Sequence, residues 1–421
     1  MGKSRRRNKR EGKQWIRVMS NATFYKMLLA IGIVIVICSL VIGVRTYQDK
    51  KQMAKQKEML EQQLEAIFET KVEVAEDKEE EKEDTVIHIA VVGDILCGNE
   101  MLEDAKKEDV YDFTSMFGEV SNYIETADIA IGTMETNYTE DAYSGYLKCN
   151  SPKSFAQAVR KTGIDLVSTA HNHSLDYGQE GLKRTKSTLE ELGYSVVGTK
   201  STLEEKNYII KDIKGIKIAF LAYTYGFSNE ETLSIEDKKY VNQFSQEQAK
   251  VDLESASQEA DYICVMMHWG EINSTNASKE QEKTADFLIE NGVNMIVGAH
   301  PAVIQPMQIK ENAQGEAAFI SYSVGNYISS LGYENANLEM ILDIQIKKQA
   351  DTGKVILEKV TYTPIYMMDN GKTAENRYRL MDMKETARRY ANGETNFITK
   401  KVYNQLVTGL EKIEEIIRRK S

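Results

Sequence analysis

Cysteine is scarce in this chain: four residues in 421, with no CxxC spacing. That excludes a zinc ribbon and a disulfide framework. Cys38 falls in an apolar run, which leaves Cys97, Cys149 and Cys264 and one open pairing, Cys97 with Cys149. Positive charge is outnumbered too, except at the start. The formal net charge is −11, yet residues 1–26 carry nine Lys/Arg against one acid, so the remainder holds −19. A basic tip on an acidic body argues against a nucleic-acid partner. Disorder is excluded by a hydrophobic share of 42%, enough for a core, and the length suits two or three units at roughly 150 residues each.

Charge is missing altogether from residues 27–44, "MLLAIGIVIVICSLVIGV". Eighteen such residues span roughly 27 Å as a helix, enough for a bilayer core. The run is longer than a signal-peptide core and lacks a clear cleavage site. It reads as a retained single-pass anchor in the lipid bilayer of the cell membrane. Residues 1–26 precede it as a basic cytoplasmic tail, so the C-terminal part faces outward. Residues 45–85 read as a charged stalk. Met53, Leu60 and Ile67 repeat every seven, with Leu64 between, leaving open a solvated helical spacer or a weak coiled-coil dimer. The acidic run at 76–84 reads as a flexible linker.

From residue 86 the pattern changes. "VIHIAVV", "ADIAIGTME", "GIDLVSTAHNH", "IKIAFLAYTYG", "ADYICVMMHWGE", "NMIVGAHPA" and "AAFISYSVGN" each read as a strand running into a polar turn. Helical patterns such as "SPKSFAQAVRKTG" and "SKEQEKTADFLIENG" alternate with them, the mark of an α/β fold over 86–370. Residues 341–367 alternate about a central turn, like an antiparallel hairpin. In the C-terminal segment, 371–421, Phe397, Val402, Leu406, Leu410, Ile413 and Ile417 recur at helical spacing, as in a helix packed on the domain.

Ligands in α/β folds collect at the C-terminal ends of strands. Those ends here carry Asp94, Glu135, Asn172, His173, His268 and His300. Each has an ordinary structural explanation: Asp94 caps a turn, Glu135 is a surface acid, His268 is a satisfied buried histidine, His300 belongs to a Gly/Pro turn. His88 lies inside a strand and reads as structural. Four of the five histidines, two acids and an asparagine at successive strand ends are not expected from chance scatter. Imidazole, carboxylate and amide oxygen suit Zn²⁺, Mn²⁺ or Fe. A histidine beside such an ion can serve as a proton donor, and Asp176, three residues beyond His173, can hold that ring's tautomer. His171 and Trp269 are candidates for the pocket wall. Arg160, Lys161, Lys183, Arg184 and Lys186 offer a basic patch, or simply solvated helix faces.

The blocks "VVGDIL", "GTMETNYT", "STAHNHSLDYGQEGL", "MHWGE", "VGAHPAVIQPM" and "YSVGNYISS" resemble the CapA, or poly-γ-glutamate capsule synthesis, family, itself similar to the calcineurin-like metallophosphoesterases. The resemblance implies a layered αββα sandwich. It makes Asp94 a ligand of a first metal and Glu135 the bridging carboxylate. Asn172, His268 and His300 complete a second metal position, and His173 is the non-ligating acid. Leu96 and Ala302 stand where the pattern carries histidines, so the first position keeps only two carboxylates. The expectation is therefore one divalent transition metal (Mn, Zn or Fe). Three functions stay open: a metal-dependent phosphoesterase-type hydrolase acting on a phosphoester; a non-catalytic subunit binding an anionic polymer beside membrane polymer-synthase subunits; and a structural ectodomain with a vestigial site.

Overall fold

The computed structural model describes residues 83–419. The basic tail, the apolar span 27–44 and the stalk up to residue 82 lie outside the described residues. Among the described residues no helix is long and apolar enough to cross a membrane.

Two sheets make the domain. The first runs β14 (Tyr378–Asp382), β13 (Val355–Asp369), β12 (Leu338–Lys348), β1 (Thr85–Ile95), β2 (Ile129–Met134), β3 (Leu166–Ser168) and β4 (Ser195–Val197), with β11 (Asn326–Ile328) also pairing β1. The second runs β9 (Met307–Glu311), β10 (Ala317–Ser321), β8 (Met295–Ala299), β7 (Tyr262–His268), β6 (Ile216–Thr224) and β5 (Tyr208–Ile213). Strands β1 to β4 are mutually parallel, as are β6, β7, β8 and β10.

The two-residue period of a strand assigns each side chain to a layer. In β1, Ile87, Ile89 and Val91 enter the core between the sheets, where Phe220 of β6 and Cys264 and Met266 of β7 meet them. Ala90 and Val92 face the other way, toward Phe155 and Val159 of α2 (Lys153–Lys161), a helix that follows α1 (Asn99–Ala105). Next come α3 (Gly178–Glu191) and α4 (Gln246–Ala256). On the second sheet Ile263, Val265 and Met267 pack outward on Leu253 of α4 and Leu288 of α5 (Lys279–Glu290). A capping box starts α5: Ser278 accepts from the Gln281 backbone, and the Gln281 side chain returns to the Ser278 backbone. The result is helix, sheet, sheet, helix. A strand buried on both faces reads as a continuous apolar run, which is why β7 is "YICVMMH".

The expected hairpin over 341–367 is β12 with β13, antiparallel. The C-terminal segment differs from the expected purely helical one, because β14 extends the first sheet before α6 (Met383–Ala391) and α7 (Lys400–Ile417) begin. The one pairing left open among the cysteines is not formed: Cys97, Cys149 and Cys264 are all free and buried.

β1 is bulged between Val91 and Asp94. Gly93 sits in that bulge, and a Cβ there would lie 1.9 Å from the Gly325 carbonyl oxygen. That close approach lets the Asp94 N–H reach the same carbonyl at 3.1 Å and turns the Asp94 side chain toward the opposing sheet.

Candidate metal centre

The C-terminal ends of the two sheets face each other. From the first come Asp94, Glu135 and the β3 turn with Asn172 and His173. From the second come His268, which ends β7, and His300, just beyond β8. All six are buried.

Three donors converge on His268 Nε2. Asn172 Oδ1 lies 2.8 Å from it, His300 Nδ1 3.1 Å and Glu135 Oε1 3.7 Å. Glu135, His268 and His300 each place a ligand atom within 4.8 Å of the others. A tetrahedral site with metal–ligand bonds of about 2.1 Å has edges of about 3.4 Å, so these spacings fit one ion. The amide is not free to turn: Asn172 Nδ2 donates to Ser228 Oγ at 2.6 Å, which aims Oδ1 at the imidazole.

His268 Nδ1 and Asp94 Oδ1 are both buried without a hydrogen-bond partner, 3.6 Å apart. If Nδ1 carries the proton, it faces that carboxylate, and the Nε2 lone pair then meets the Asn172 oxygen. If Nε2 carries it, the Nδ1 lone pair meets the carboxylate. Burial and the neighbouring histidines hold His268 well below its ordinary pKa, so it does not carry both protons. The Nδ1–H form leaves the Nε2 lone pair facing the Asn172 oxygen, and the Nε2–H form leaves the Nδ1 lone pair facing Asp94 whenever that carboxyl is ionised. A cation at Nε2, with Nδ1–H turned to Asp94, satisfies every atom.

Asp94 therefore stands behind the centre. One carboxylate oxygen faces the His268 ring, and the other accepts the His300 N–H at 2.7 Å. His300 itself has φ 95°, a left-handed conformation unusual for a non-glycine residue, and that hydrogen bond helps hold it. Asp94 thus touches both histidines and stands outside the grouped Glu135, His268 and His300 ligand atoms. Asp94→Asn is expected to weaken metal binding by roughly 10- to 100-fold without abolishing it; titration of the metal-free protein with Mn²⁺ measures this, and complete loss would restore Asp94 as a ligand.

The surroundings are acidic and dry. Burial pushes the Asp94 carboxyl up to about 7. Burial, then Asp94 and Asp176, raises Glu135 well above the carboxylate range. Burial lowers His300 to about 4. The sign follows from these directions. Ligation needs Glu135 deprotonated, and protons compete for it until the pH is well above its ordinary value, whereas the histidines are already neutral. The rise in Tm on adding Mn²⁺ is expected to be larger at pH 8 than at pH 5.5 by scanning fluorimetry; an equal rise would remove Glu135 from the ligand set.

His173 does not join the donor cluster. Its Nδ1 pairs with Asp176 Oδ2 at 2.7 Å, both side chains being only 4% exposed, and its Nε2 lies 3.4 Å from Ser228 Oγ. The imidazole is locked by the carboxylate with Nε2 turned to the site, as a proton donor requires. His171 backs the centre: its ring is 6.0 Å from His268, and its Nδ1 accepts the His173 N–H at 3.2 Å. Trp269 is a correction. Expected on the pocket wall, it is buried in the outer core against Tyr322, donating to that residue's carbonyl at 2.8 Å. Side chains after His268 alternate away from the inter-sheet space, so the next residue faces the helices.

The basic patch does not form either. Arg160 pairs with Asp165 at 3.3 Å, Arg184 with Glu140 at 2.5 Å and Lys186 with Glu205, while Lys183 lies over the Tyr240 ring. Two site residues went unread in the sequence: Ser228, which touches both Asn172 and His173, and Tyr225, whose hydroxyl is 3.3 Å from His300 Nε2. Both follow β6 at its C-terminal end, where the rule applied to the other strands would have found them.

Comparison with known proteins decides the family. Residues 88–331 match the bacterial capsule synthesis protein family PGA_cap. The chain belongs to that family. Capsule biosynthesis protein CapA of Bacillus anthracis is 26% identical over 294 residues, covering 66% of this chain and 68% of that one. PGA biosynthesis protein CapA of Bacillus subtilis is 23% identical over 284 residues, 64% and 70% of the two chains. Among solved structures, the calcineurin-like phosphoesterase YfkN from Bacillus subtilis is similar at 14% identity and a TM-score of 0.38, covering 80% of this chain and all of that one. All the centre's residues fall inside the matched segment.

Proposed function

We propose that this PGA_cap protein is a membrane-anchored, outward-facing component of surface-polymer biosynthesis, of poly-γ-glutamate capsule or a related polymer, and that its domain hydrolyses a phosphoester at one divalent transition metal. The observation that carries the hydrolase reading is the convergence of Glu135, Asn172, His268 and His300 on one point. The polymer context is supported by the CapA relatives, and the anchor by residues 27–44.

An ion of Mn, Zn or Fe held by these four residues would supply Lewis acidity and lower the pKa of a water toward about 7. The chain's own residues do the rest. Glu135 brings the negative charge that retains the ion, and Ser228 fixes the Asn172 oxygen. Asp94 holds the His268 ring and the His300 backbone. Asp176 keeps the His173 ring in place, so that Nε2 can deliver a proton to the departing oxygen. Burial of these side chains strengthens each of these contacts.

The test is metal content per chain, purified without chelators or an affinity metal. About one equivalent of a transition metal is expected. No metal, even after addition of Mn²⁺ or Zn²⁺, would sink the hydrolase reading. Leu96 and Ala302, in place of two histidines, favour a second reading, a polymer-binding subunit without turnover. In that case the metal binds, yet phosphoesters are not cleaved.

A further inference from the structure

The loop after β6 meets the turn after β3 beside the metal centre. The Ser228 N–H donates to the Asn172 carbonyl at 2.9 Å, and Asn229 Nδ2 donates to the Leu175 carbonyl at 3.3 Å. These bonds sew the two loops together and set Ser228, which is exposed, beside the buried His173. Tyr146 meets the His173 ring edge-on with centroids 5.7 Å apart, and His171 Nδ1 accepts the His173 N–H at 3.2 Å, so the ring is held on further sides.

A chain of hydrogen bonds follows in which each proton has its place. Asp176 Oδ2 takes the His173 Nδ1 proton at 2.7 Å, which leaves a lone pair on Nε2 of the neutral ring. Asn172 Nδ2 donates to Ser228 Oγ at 2.6 Å. The hydroxyl's own proton then has His173 Nε2, 3.4 Å away, as its acceptor. Hydroxyl, imidazole and carboxylate in that order are the nucleophile, base and orienting group of a serine hydrolase. The 3.4 Å contact is long, as nucleophile–base contacts often are before a substrate closes them.

The surroundings favour acyl over phosphoryl transfer by this serine. An attacked carbonyl develops one oxyanion, whereas a transferring phosphoryl group spreads its charge over three oxygens. Among the described residues no lysine or arginine hydrogen-bonds or pairs with Ser228, His173 or Asp176, and Lys148 lies instead over the Tyr177 ring, 5.6 Å from its centroid. The Asn229 N–H directly follows the serine and donates to no group among the described residues. That sequence position supplies an oxyanion donor in one class of serine hydrolase.

We propose that Ser228, His173 and Asp176 are a catalytic triad for acyl transfer, a second activity beside the metal centre with carboxylic esters as its substrate class. Ser228 Oγ bonds to the carbonyl carbon while its proton passes to His173 Nε2. The bond from that carbon to the alcohol oxygen breaks as His173 returns the proton to the departing oxygen, leaving an acyl-serine. Water, deprotonated by His173 in the same way, releases the acid and restores the hydroxyl. The triad goes beyond the phosphoester reading, because its three side chains supply nucleophile, base and orienting group without the ion.

The test uses the metal-free full chain in maltoside micelles. A fluorophosphonate, which an activated serine attacks at phosphorus with loss of fluoride, is followed by peptide mass spectrometry. About one label per chain is expected, on the peptide that carries Ser228. Its rate is expected to fall at least about 100-fold in His173→Gln and in Asp176→Asn, since a triad serine depends on both its base and the carboxylate behind it. No label on Ser228 in wild type, or an undiminished rate in either variant, would overturn the triad. Because the labelled protein carries no metal, a chain that binds none sinks the phosphoester reading and leaves this result standing.

Discussion

Replacing His268 with alanine is expected to remove the bound transition metal entirely, taking the content from about one equivalent per chain to none detectable. The size of the effect comes from position. His268 Nε2 is the atom on which Asn172, His300 and Glu135 all converge, at 2.8, 3.1 and 3.7 Å. Without it three donors remain around an alanine-sized gap, and the Asp94 oxygen loses the ring nitrogen that faced it. Elemental analysis of the variant beside wild type measures the loss. Retention of metal by His268→Ala would move the centre elsewhere. A buried histidine also packs, so circular dichroism at matched concentration should show the same secondary structure in both proteins. The fold's core lies between the sheets and under the helices, and His268 sits at its rim.

His173→Gln is expected to separate chemistry from binding. The ring is outside the donor cluster, so metal content should stay at about one equivalent. The rate of phosphoester cleavage should fall by roughly 10²- to 10⁴-fold, the usual contribution of a positioned general acid. The loss should be smaller for a substrate with a good leaving group, such as an aryl phosphate, which departs without a proton. An equal loss for both kinds of ester would mean that His173 shapes the site rather than delivers a proton. Loss of metal would make it a ligand. The Asp176 contact at 2.7 Å predicts that Asp176→Asn follows the same pattern with a smaller effect.

Much of this was legible in the chain itself. Seven apolar runs ending in polar turns correspond to β1, β2, β3, β6, β7, β8 and β10, because strands buried on both faces have to be apolar throughout. Edge strands such as β4 and β5 carried no comparable signal: both lie at the ends of their sheets, and β5 alternates among half-buried positions. The acid, amide and imidazole residues at strand ends also stood out, since the side-chain chemistry of a metal centre differs from that of a turn. Roles set by direction did not. Asp94 reads as a ligand from its motif, whereas its contacts with the His268 ring and the His300 backbone come from the bulge beside Gly93 and the approach of the other sheet. Trp269 reads as a wall residue beside His268, and the alternation of the strand sends it to the opposite face.

By itself, then, the sequence determined the alternation of strand and helix, the apolar run near its start, the family, and the set of residues able to hold a metal. These are local properties of composition and period. The tertiary structure alone decided that the donors come from two different sheets: Glu135 and Asn172 end strands of the first, His268 and His300 strands of the second. Pairing between strands far apart in the chain and packing of one apolar sheet face on the other are non-local, so no window of sequence contains them. They bring Asn172 within 2.8 Å of a histidine 96 residues away and gather ligand atoms of Glu135, His268 and His300 within 4.8 Å of one another.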